Sequence, residues 1–560
     1  MSRRGTFYVL VLLVTLAAFA VPAAADCTAI GVSPGATADG SGMVTHTDDS
    51  GDDTFHVSIV PAADWEPGSM VDVWINTDKI PFWTPLVLAG RIPQVLHTYS
   101  YTNSSNSFQN ENQVSMGESS LTSQSKLRNK DGWFAMVNLM RFGLTRAKTA
   151  REAIQIMGSL TEKYGYCVGG EGIPITDGNE TWMFEIYGPG ALWAPGSDRL
   201  GSVWVAQRVP DGEVSVYANR SRIGEIDLKD TDNFMASANI YSLATEMGWW
   251  DPNSGKPFKV YETYGADAYS PYNARREWRV FSLLAPSLNL SPWLEHYPFS
   301  VKPDQPVTAQ MIMAIERDHY EGTEFDLTQG LAAGPFGAPD RWGTSGSAAP
   351  AGSTGWERAI SLHRTVYSTV VVSRKNLPAW IGGMTWFGYD SPHTTCYIPI
   401  YCGVTELPKS FDTGVRSGAN DFFSQESAWW AFNFVENYSN LKYMYMIKDI
   451  EAVRDPLEAE FFAMQPAIES AALALYALNP QLARQFLTTY TNATANRVVD
   501  AYWKLANQLV GRYTDGYYYD ETTMKSSSQG YPAEWLKAVG FGESTVTPAE
   551  GLVPGIDKVK

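Results

Sequence analysis

Cysteine and histidine are scarce in this chain of 560 residues, which has four cysteines and seven histidines. Four cysteines at this length do not make the dense disulfide framework of a small secreted domain. The sequence has no His-Glu-x-x-His helix and no Cys-x-x-Cys pair, so the usual motifs of a zinc peptidase are absent. Residues 317–326, RDHYEGTEFD, are the one cluster with metal-binding residue types, and we interpret them as a polar loop or a structural turn.

Blocks of positive charge and long internal apolar runs are also lacking. The formal net charge is -18 and is spread along the chain, which argues against nucleic acid and anionic membranes as partners. After residue 26, each hydrophobic segment is interrupted by charge, Gly or Pro within a turn or two, so we expect no transmembrane helix there. No fixed-period repeat is present, which excludes a solenoid, and a Gly-x-Ser-x-Gly elbow is matched only in part within TADGSGM.

The first 26 residues have the pattern of an export signal. Arg3 and Arg4 precede the apolar run FYVLVLLVTLAAFAV, and PAAAD supplies small residues for a signal peptidase. We therefore expect residues 1–26 to be removed and the mature protein to be secreted or periplasmic. Asp26 stands between Ala25 and Cys27, which weakens the alternative that Cys27 carries a lipid anchor.

The rest of the chain changes character along its length. From Cys27 to about residue 225, short apolar or alternating runs predict strands and hairpins, and residues 145–165 predict a helix that ends at Gly165. Residues 330–355 are rich in Gly, Ala, Pro and Ser and predict a long surface loop. From about residue 420 the pattern is helical, with Asn479 and Pro480 starting the last long helix and a Thr/Asn cluster near residue 490 favouring a break in it.

Cys27 would combine two reactive groups if processing removed everything through Asp26. Its thiol is a nucleophile, and its α-amine, with an ordinary pKa of about 7.7 to 8.0, is a base that works near neutral pH. Residues 27–49 predict a β-hairpin whose far end returns to its start, which would bring His46 and Asp49 close to Cys27. The alternatives are that Cys27 is a structural cysteine and that the acidic residues form a polar turn.

Cys396 and Cys402 are close enough in sequence to close a small loop, and we expect one disulfide between them. The alternative is that all four cysteines are ordinary small apolar residues.

A family resemblance rests on several segments in order. CTAIGVSPGATADGSGMVTHTDD, NENQVSMGESS, EKYGYCVGGEGIPITDGNETWMFEIYGPG and VWVAQRVPDGEVSVYANRSRIGEIDL are similar to the secernin-like dipeptidases, which are N-terminal nucleophile cysteine hydrolases related to penicillin V acylases and bile-salt hydrolases. YNARREWRVFSLLAPS, RDHYEGTEFDLT, SLHRTVYSTVVVSR and IPIYCGV continue it. The resemblance covers nearly the whole mature chain.

The resemblance implies a fold and a set of roles. The fold would be α+β, an αββα sandwich of two antiparallel sheets over residues 27–415, with a helical extension over residues 416–560 packed on it. Cys27 would be the nucleophile and Asp49 would steer its amine. Asn219 and a backbone N–H of MGESS would hold the oxyanion. Arg276 would lie near the nucleophile, with Arg275 and Arg279 as competing candidates.

Two features depart from the family pattern. His46 stands where relatives commonly have an arginine near the cysteine sulfur, so the stabilisation of the thiolate is in question. Asn219 also begins an Asn-Arg-Ser glycosylation sequon, which we interpret as accidental at a buried site residue.

The function that the resemblance implies is hydrolysis of a dipeptide or another small peptide, with no metal or organic cofactor and no membrane partner after processing. Homo-oligomerisation is left open. One alternative is an acylase for non-peptide amides such as penicillin or N-acyl amino acids. The other is a non-enzymatic exported binding protein, in which aromatic stretches such as SAWWAFNFVENYSN would form a ligand groove.

Overall fold

The structure is a computed structural model that describes residues 27–50, 56–75, 87–342, 356–413 and 423–541. The predicted signal peptide, the second half of the predicted loop over residues 330–355 and the predicted domain boundary at residue 415 lie outside these ranges.

Strands and helices alternate in the first two thirds of the chain, and helices dominate the last third. The strands are β1 (Ala29–Val32), β2 (Gly42–Asp48), β3 (Ser58–Val60), β4 (Ala63–Asp64), β5 (Met70–Ile75), β6 (Val87–Pro93), β7 (His97–Thr98), β8 (Tyr101–Asn103), β9 (Gln109–Asn110), β10 (Ser115–Met116), β11 (Ser119–Leu121), β12 (Gly170–Thr176), β13 (Thr181–Tyr187), β14 (Val203–Arg208), β15 (Val214–Tyr217), β16 (Phe234–Ala236), β17 (Ser300–Val301), β18 (Tyr367–Ser373), β19 (Met384–Tyr389), β20 (Ile398–Tyr401), β21 (Tyr517–Asp520) and β22 (Lys525–Ser528). The α-helices are α1 (Met136–Leu144), α2 (Ala150–Tyr164), α3 (Ile240–Glu246), α4 (Val260–Thr263), α5 (Pro271–Leu284), α6 (Ala309–Glu316), α7 (Ala379–Gly382), α8 (Ala428–Ser439), α9 (Tyr443–Leu478), α10 (Pro480–Arg512) and α11 (Ala533–Ala538).

Two antiparallel sheets form the centre of the molecule. One has the strand order β17-β15-β1-β2-β18-β19-β20, and the other runs β16-β14-β13-β12-β10-β9-β8-β3, with β11 paired to β12. Strands β1 and β2 of the first sheet contact β10, β12 and β13 of the second. The sheets approach closely at Gly117, where an added Cβ would lie 2.0 Å from the carbonyl oxygen of Thr45. Only glycine fits this approach.

Helices cover both sheets. Helices α1 and α2 share a hydrophobic core with the strands of the second sheet, and α5, α6 and α8 to α10 share another with the first sheet. Helix α2 confirms the predicted helix and its end at Gly165, where φ is 84°, but it begins five residues later than predicted, at Ala150 after the Thr149 hydroxyl cap. The chain is therefore a mixed α+β protein with antiparallel sheets and a helical C-terminal region.

The predicted N-terminal hairpin is confirmed. Strands β1 and β2 pair antiparallel with Gly31 opposite Val44, and Thr28 bridges to Thr47. The Asp39 carboxylate accepts a hydrogen bond from the Ser41 amide in the turn between them. Every residue of both strands is buried, as expected of strands with a sheet on one face and helices on the other.

The C-terminal helices are longer and more regular than the sequence indicates. Helix α10 runs unbroken through residue 490, so the predicted break is wrong. Thr491 and Thr494 face the protein interior, and the Thr491 hydroxyl donates to the Pro399 carbonyl oxygen at 3.3 Å. Packing against the sheet overrides the weak helix propensity of these residues.

Helix α9 bears on the expectation that no transmembrane helix follows residue 26. Among the described residues, it is the one helix that is long enough and apolar enough, by length and composition, to cross a membrane, and 11% of its most apolar window is buried. Pro466 and Glu469 interrupt its apolar part from Phe461 to Leu478, as the sequence analysis states for the later hydrophobic segments.

The expected disulfide between Cys396 and Cys402 is also wrong, since both are free cysteines. Strand β20 lies between them, and an extended strand separates its ends rather than closing a loop. The Cys402 thiol instead donates to the Ala379 carbonyl oxygen at 3.0 Å.

Candidate active site

Cys27 lies two residues before the start of β1, an inner strand of the first sheet, and its side chain is 0% exposed. Its thiol donates to the Glu118 carboxyl, with a distance of 3.0 Å between Sγ and Oε1. Burial raises the pKa of this thiol well above its ordinary value, and the nearby carboxyls of Glu118, Asp48 and Asp49 raise it further. These surroundings therefore hold the sulfur as a neutral thiol.

Glu118 follows β10 and links the cysteine to a second buried acid. It contacts the Glu171 carboxyl of β12, and both side chains are almost fully buried. Burial raises the pKa of Glu118 to about 7, and burial together with Glu118 raises the pKa of Glu171 well above its ordinary range. Two buried carboxyls in contact cannot both ionise cheaply, so this pair retains a proton near neutral pH.

His46, on β2, lies on the other side of Glu118. Its Nε2 is 3.0 Å from Glu118 Oε1, and its Nδ1 is 3.2 Å from the Tyr367 hydroxyl. Burial lowers the pKa of His46, although Asp48 and Asp49 oppose this. The imidazole is therefore neutral near pH 7, and it holds the Glu118 carboxyl instead of supplying the positive charge of an arginine.

Asp49 ends the same hairpin and is fully buried. Its carboxylate pairs with the Arg358 guanidinium and accepts from the Thr365 hydroxyl. It also accepts at 3.2 Å from the Thr47 hydroxyl, whose oxygen receives the Thr28 amide at 3.0 Å. Asp49 thus reaches the backbone next to Cys27 through Thr47, and its charge acts on the thiol through space.

Arg276 is the arginine that the structure brings to Cys27. Its Nη1 donates to the Cys27 carbonyl oxygen at 3.0 Å, and its Nη2 donates to Asn219 Oδ1 at 2.6 Å. The two competing arginines of α5 have other partners: Arg275 is turned about 100° around the helix axis, and Arg279 lies about one turn further along it. Arg275 pairs with Glu357, and Arg279 pairs with Asp318.

Asn219 follows β15 in a left-handed conformation, with φ of 63°, that asparagine adopts more readily than most residues. Its Nδ2 donates to the Ser120 carbonyl oxygen at 2.9 Å. The Ser119 hydroxyl accepts a hydrogen bond from the backbone N–H of Asn219 and donates one to the Cys27 carbonyl oxygen, each at 3.0 Å. Asn219 is 7% exposed, which fits the interpretation that its sequon is accidental.

Some residues of this site are not evident from the sequence. Four side chains make contacts in the site that the sequence analysis does not predict: Glu118, Ser119, Glu171 and Arg358. Glu118 and Ser119 lie in MGESS, from which the sequence analysis expects only a backbone N–H donor.

The same residues could hold a metal ion. Cys27, His46 and Glu118 each offer a ligand atom, and these atoms all lie within 4.8 Å of one another. Thiolate, imidazole and carboxylate are the ligands of Zn²⁺, so such an ion would compete with the cysteine's role as a nucleophile.

Comparison with known proteins gives the family. The model of peptidase family C69 matches residues 26–455, so the match begins one residue before Cys27 and contains every site residue described above. The chain belongs to peptidase family C69. The C69 assignment agrees with the resemblance that the sequence shows.

Curated relatives of this C69 peptidase are dipeptidases by name. A probable dipeptidase of Salmonella dublin is 26% identical over 69% of this chain and 83% of its own length. A probable dipeptidase A of Streptococcus pyogenes is 23% identical over 87% of this chain and 98% of its own length. A probable dipeptidase of Latilactobacillus sakei is 28% identical over 47% of this chain, and the match spans about half of that relative, 49%.

Proposed function

We propose that this C69 peptidase is an exported dipeptidase whose nucleophile is Cys27 after removal of residues 1–26. The observation that carries the proposal is that Glu118 and Arg276 both contact the one cysteine that processing would make the first residue, while Arg276 also holds Asn219. The names of the relatives support a dipeptide substrate. The two facing sheets with helices on both sides fit the αββα sandwich of N-terminal nucleophile hydrolases.

The proposed reaction starts with a proton transfer within Cys27. The α-amine takes the thiol proton, and the thiolate attacks the carbonyl carbon of the scissile amide. The same carboxyls that raise the thiol pKa favour a protonated amine, so they make the amine a stronger base for this transfer. Glu118, with its pKa of about 7, is placed 3.0 Å from the sulfur and can share that proton.

The tetrahedral intermediate requires donors for its oxyanion. We assign the Asn219 side-chain amide and a backbone N–H of residues 116–120 to this role, with Arg276 positioning Asn219 through its Oδ1. The α-ammonium then gives its proton to the leaving nitrogen, the amide bond breaks and a thioester remains. Water, deprotonated by the amine, hydrolyses the thioester and releases the acid.

Processing offers the decisive test. The N-terminal sequence of the secreted, active protein should begin at Cys27, and Cys27→Ala should abolish dipeptide hydrolysis with little change in Tm. Cys167→Ala is the matched control, since Cys167 is only partly buried and belongs to no site described here. Full activity of a form that begins at Asp26 or earlier would refute the mechanism.

Substrate class needs a separate measurement. We expect dipeptides to be cleaved in preference to longer peptides, N-acyl amino acids and penicillins in a side-by-side panel. Preference for an acyl amide would replace the dipeptidase by an acylase with the same nucleophile. Binding without turnover of any member of the panel would favour an exported binding protein.

A further inference from the structure

A second cluster of potential ligands lies away from Cys27. We name Asp340, His393 and Glu436 the acid-imidazole cluster. They come from three separate parts of the chain: the segment after α6, the turn between β19 and β20, and helix α8. Each offers one ligand atom, and these atoms all lie within 4.8 Å of one another.

The two carboxyls of this cluster are in contact. Asp340 interacts directly with Glu436 and with Asn440, and Glu436 Oε1 accepts from Asn440 Nδ2 at 3.3 Å. Glu436 is 1% exposed. Two carboxyls that touch in the interior need either a shared proton or a cation between them.

Several buried polar atoms around the cluster are unpartnered among the described residues. They are Asp340 Oδ2, Asp390 Oδ2, His319 Nε2 and His363 Nδ1. The His319 ring packs edge-on against His393 with centroids 4.7 Å apart, and the charges of Asp390 and His363 act on the carboxyls of the cluster. Buried polar atoms are nearly always satisfied, so these four atoms are available to a bound ion or to the water that it carries.

We propose that the acid-imidazole cluster binds one divalent transition-metal cation of the Zn²⁺ type through Asp340, His393 and Glu436. Imidazole together with carboxylates suits Zn²⁺, whereas Ca²⁺ and Mg²⁺ take oxygen ligands almost alone. No sequence motif marks this site, because its three ligands are far apart in sequence and His393 has no second histidine at metal-binding spacing.

The ion would join elements that also support the active site. Ser361 Oγ lies 3.1 Å from His393 Nδ1, which fits the second contact that orients a ligating imidazole. The same segment carries Arg358 and Thr365 to Asp49. The site is therefore structural, and its occupancy should stabilise the fold around that segment.

The test compares Zn²⁺ binding to chelator-stripped protein by calorimetry, by metal content after dialysis and by Tm. The Cys27→Ala variant removes the sulfur of the other potential zinc group and is the main background. We expect one equivalent of Zn²⁺ and a raised Tm. In that background Glu436→Gln should weaken Zn²⁺ binding by more than about 100-fold, which exceeds the loss expected from a residue that only supports a ligand. His97→Gln is the control, since His97 is exposed.

Asp340→Asn gives a second reading if Glu436→Gln does not fold, because Asp340 is only partly buried. Absence of bound Zn²⁺ in the Cys27→Ala protein would overturn the proposal and indicate a proton shared by the two carboxyls. Unchanged binding in either cluster variant would place the ion elsewhere. Stabilisation by Ca²⁺ or Mg²⁺ but not by Zn²⁺ would refute the assigned cation.

Discussion

Replacing Glu118 by glutamine should make the Cys27 sulfur more reactive. The carboxyl oxygen is 3.0 Å from the sulfur and accepts its proton, so an ionised Glu118 opposes formation of the thiolate. Glutamine removes that charge and its Nε2 can donate to the sulfur. At about 4 Å and an effective dielectric constant of 20, one charge is worth about 4 kcal/mol, or about a 1000-fold change in the thiolate population.

The expected change in rate is smaller than the change in thiolate population. The thiolate fraction rises about 1000-fold, but the nucleophilicity of each thiolate falls about 20- to 30-fold as the pKa of the thiol falls. The net acceleration of alkylation is therefore roughly 30- to 50-fold. It should be greatest near pH 8.5, where a carboxyl with a pKa of about 7 is ionised in the unsubstituted protein, and should shrink to a few-fold near pH 6, where that carboxyl is protonated.

Iodoacetamide labelling of the Cys27 peptide, followed by mass spectrometry over time, measures this rate. Glu162→Gln is the control, because Glu162 lies on α2 and accepts from the Trp204 indole at 2.8 Å, away from the sulfur. Equal or slower labelling in the Glu118→Gln protein, at an unchanged Tm, would refute the view that this carboxyl suppresses the thiolate.

Three further predictions concern buried charges. Arg276→Lys should lower kcat/KM for a dipeptide about 10-fold or more, because each charged hydrogen bond it loses is worth about 1.5 to 3 kcal/mol, whereas Arg275→Lys should retain most activity. Asp49→Asn should lower the free energy of unfolding in guanidinium by about 3 to 5 kcal/mol, because it leaves the Arg358 charge buried without its partner. Adding Arg358→Met to that variant should restore part of the lost stability, and no restoration would show that the two residues are not coupled. Burial raises the pKa of Glu316 to about 8, so the folded state keeps a proton that the unfolded state loses above about pH 4.5. The free energy of unfolding should therefore fall by up to about 5 kcal/mol between pH 4.5 and pH 8. Glu316→Gln should remove most of this dependence on pH.

The parts of the fold that sequence predicts are those specified by neighbouring residues. The hairpin before Asp49 and the helix that ends at Gly165 follow from turn, cap and periodicity signals within a few residues. The break expected near residue 490 is wrong for the opposite reason. A threonine that weakens an isolated helix is tolerated when its hydroxyl packs against a distant strand, and the contact of Thr491 with Pro399 spans 92 residues.

The candidate site divides in the same way. Cys27 is identified by its place after a signal-like segment, but the carboxyl that contacts it is 91 residues away, and pairing of β11 with β12 brings that part of the chain to the cysteine. The choice among the three arginines of α5 depends on the rotation of that helix about its axis. Sequence gives the helix and its charged residues, and only packing decides that Arg276 faces Cys27.

The contact of Gly117 with Thr45 makes one glycine a spacer for the chemistry. A methyl group at residue 117 would collide with a backbone oxygen of the facing sheet, which cannot turn aside as a flexible side chain could. Relief of that collision would have to move the backbone at residue 117 away from β2, and Glu118, the very next residue, would move away from the sulfur with it. The spacing between two layers of backbone thus sets how near the carboxyl that receives the thiol proton comes to the cysteine.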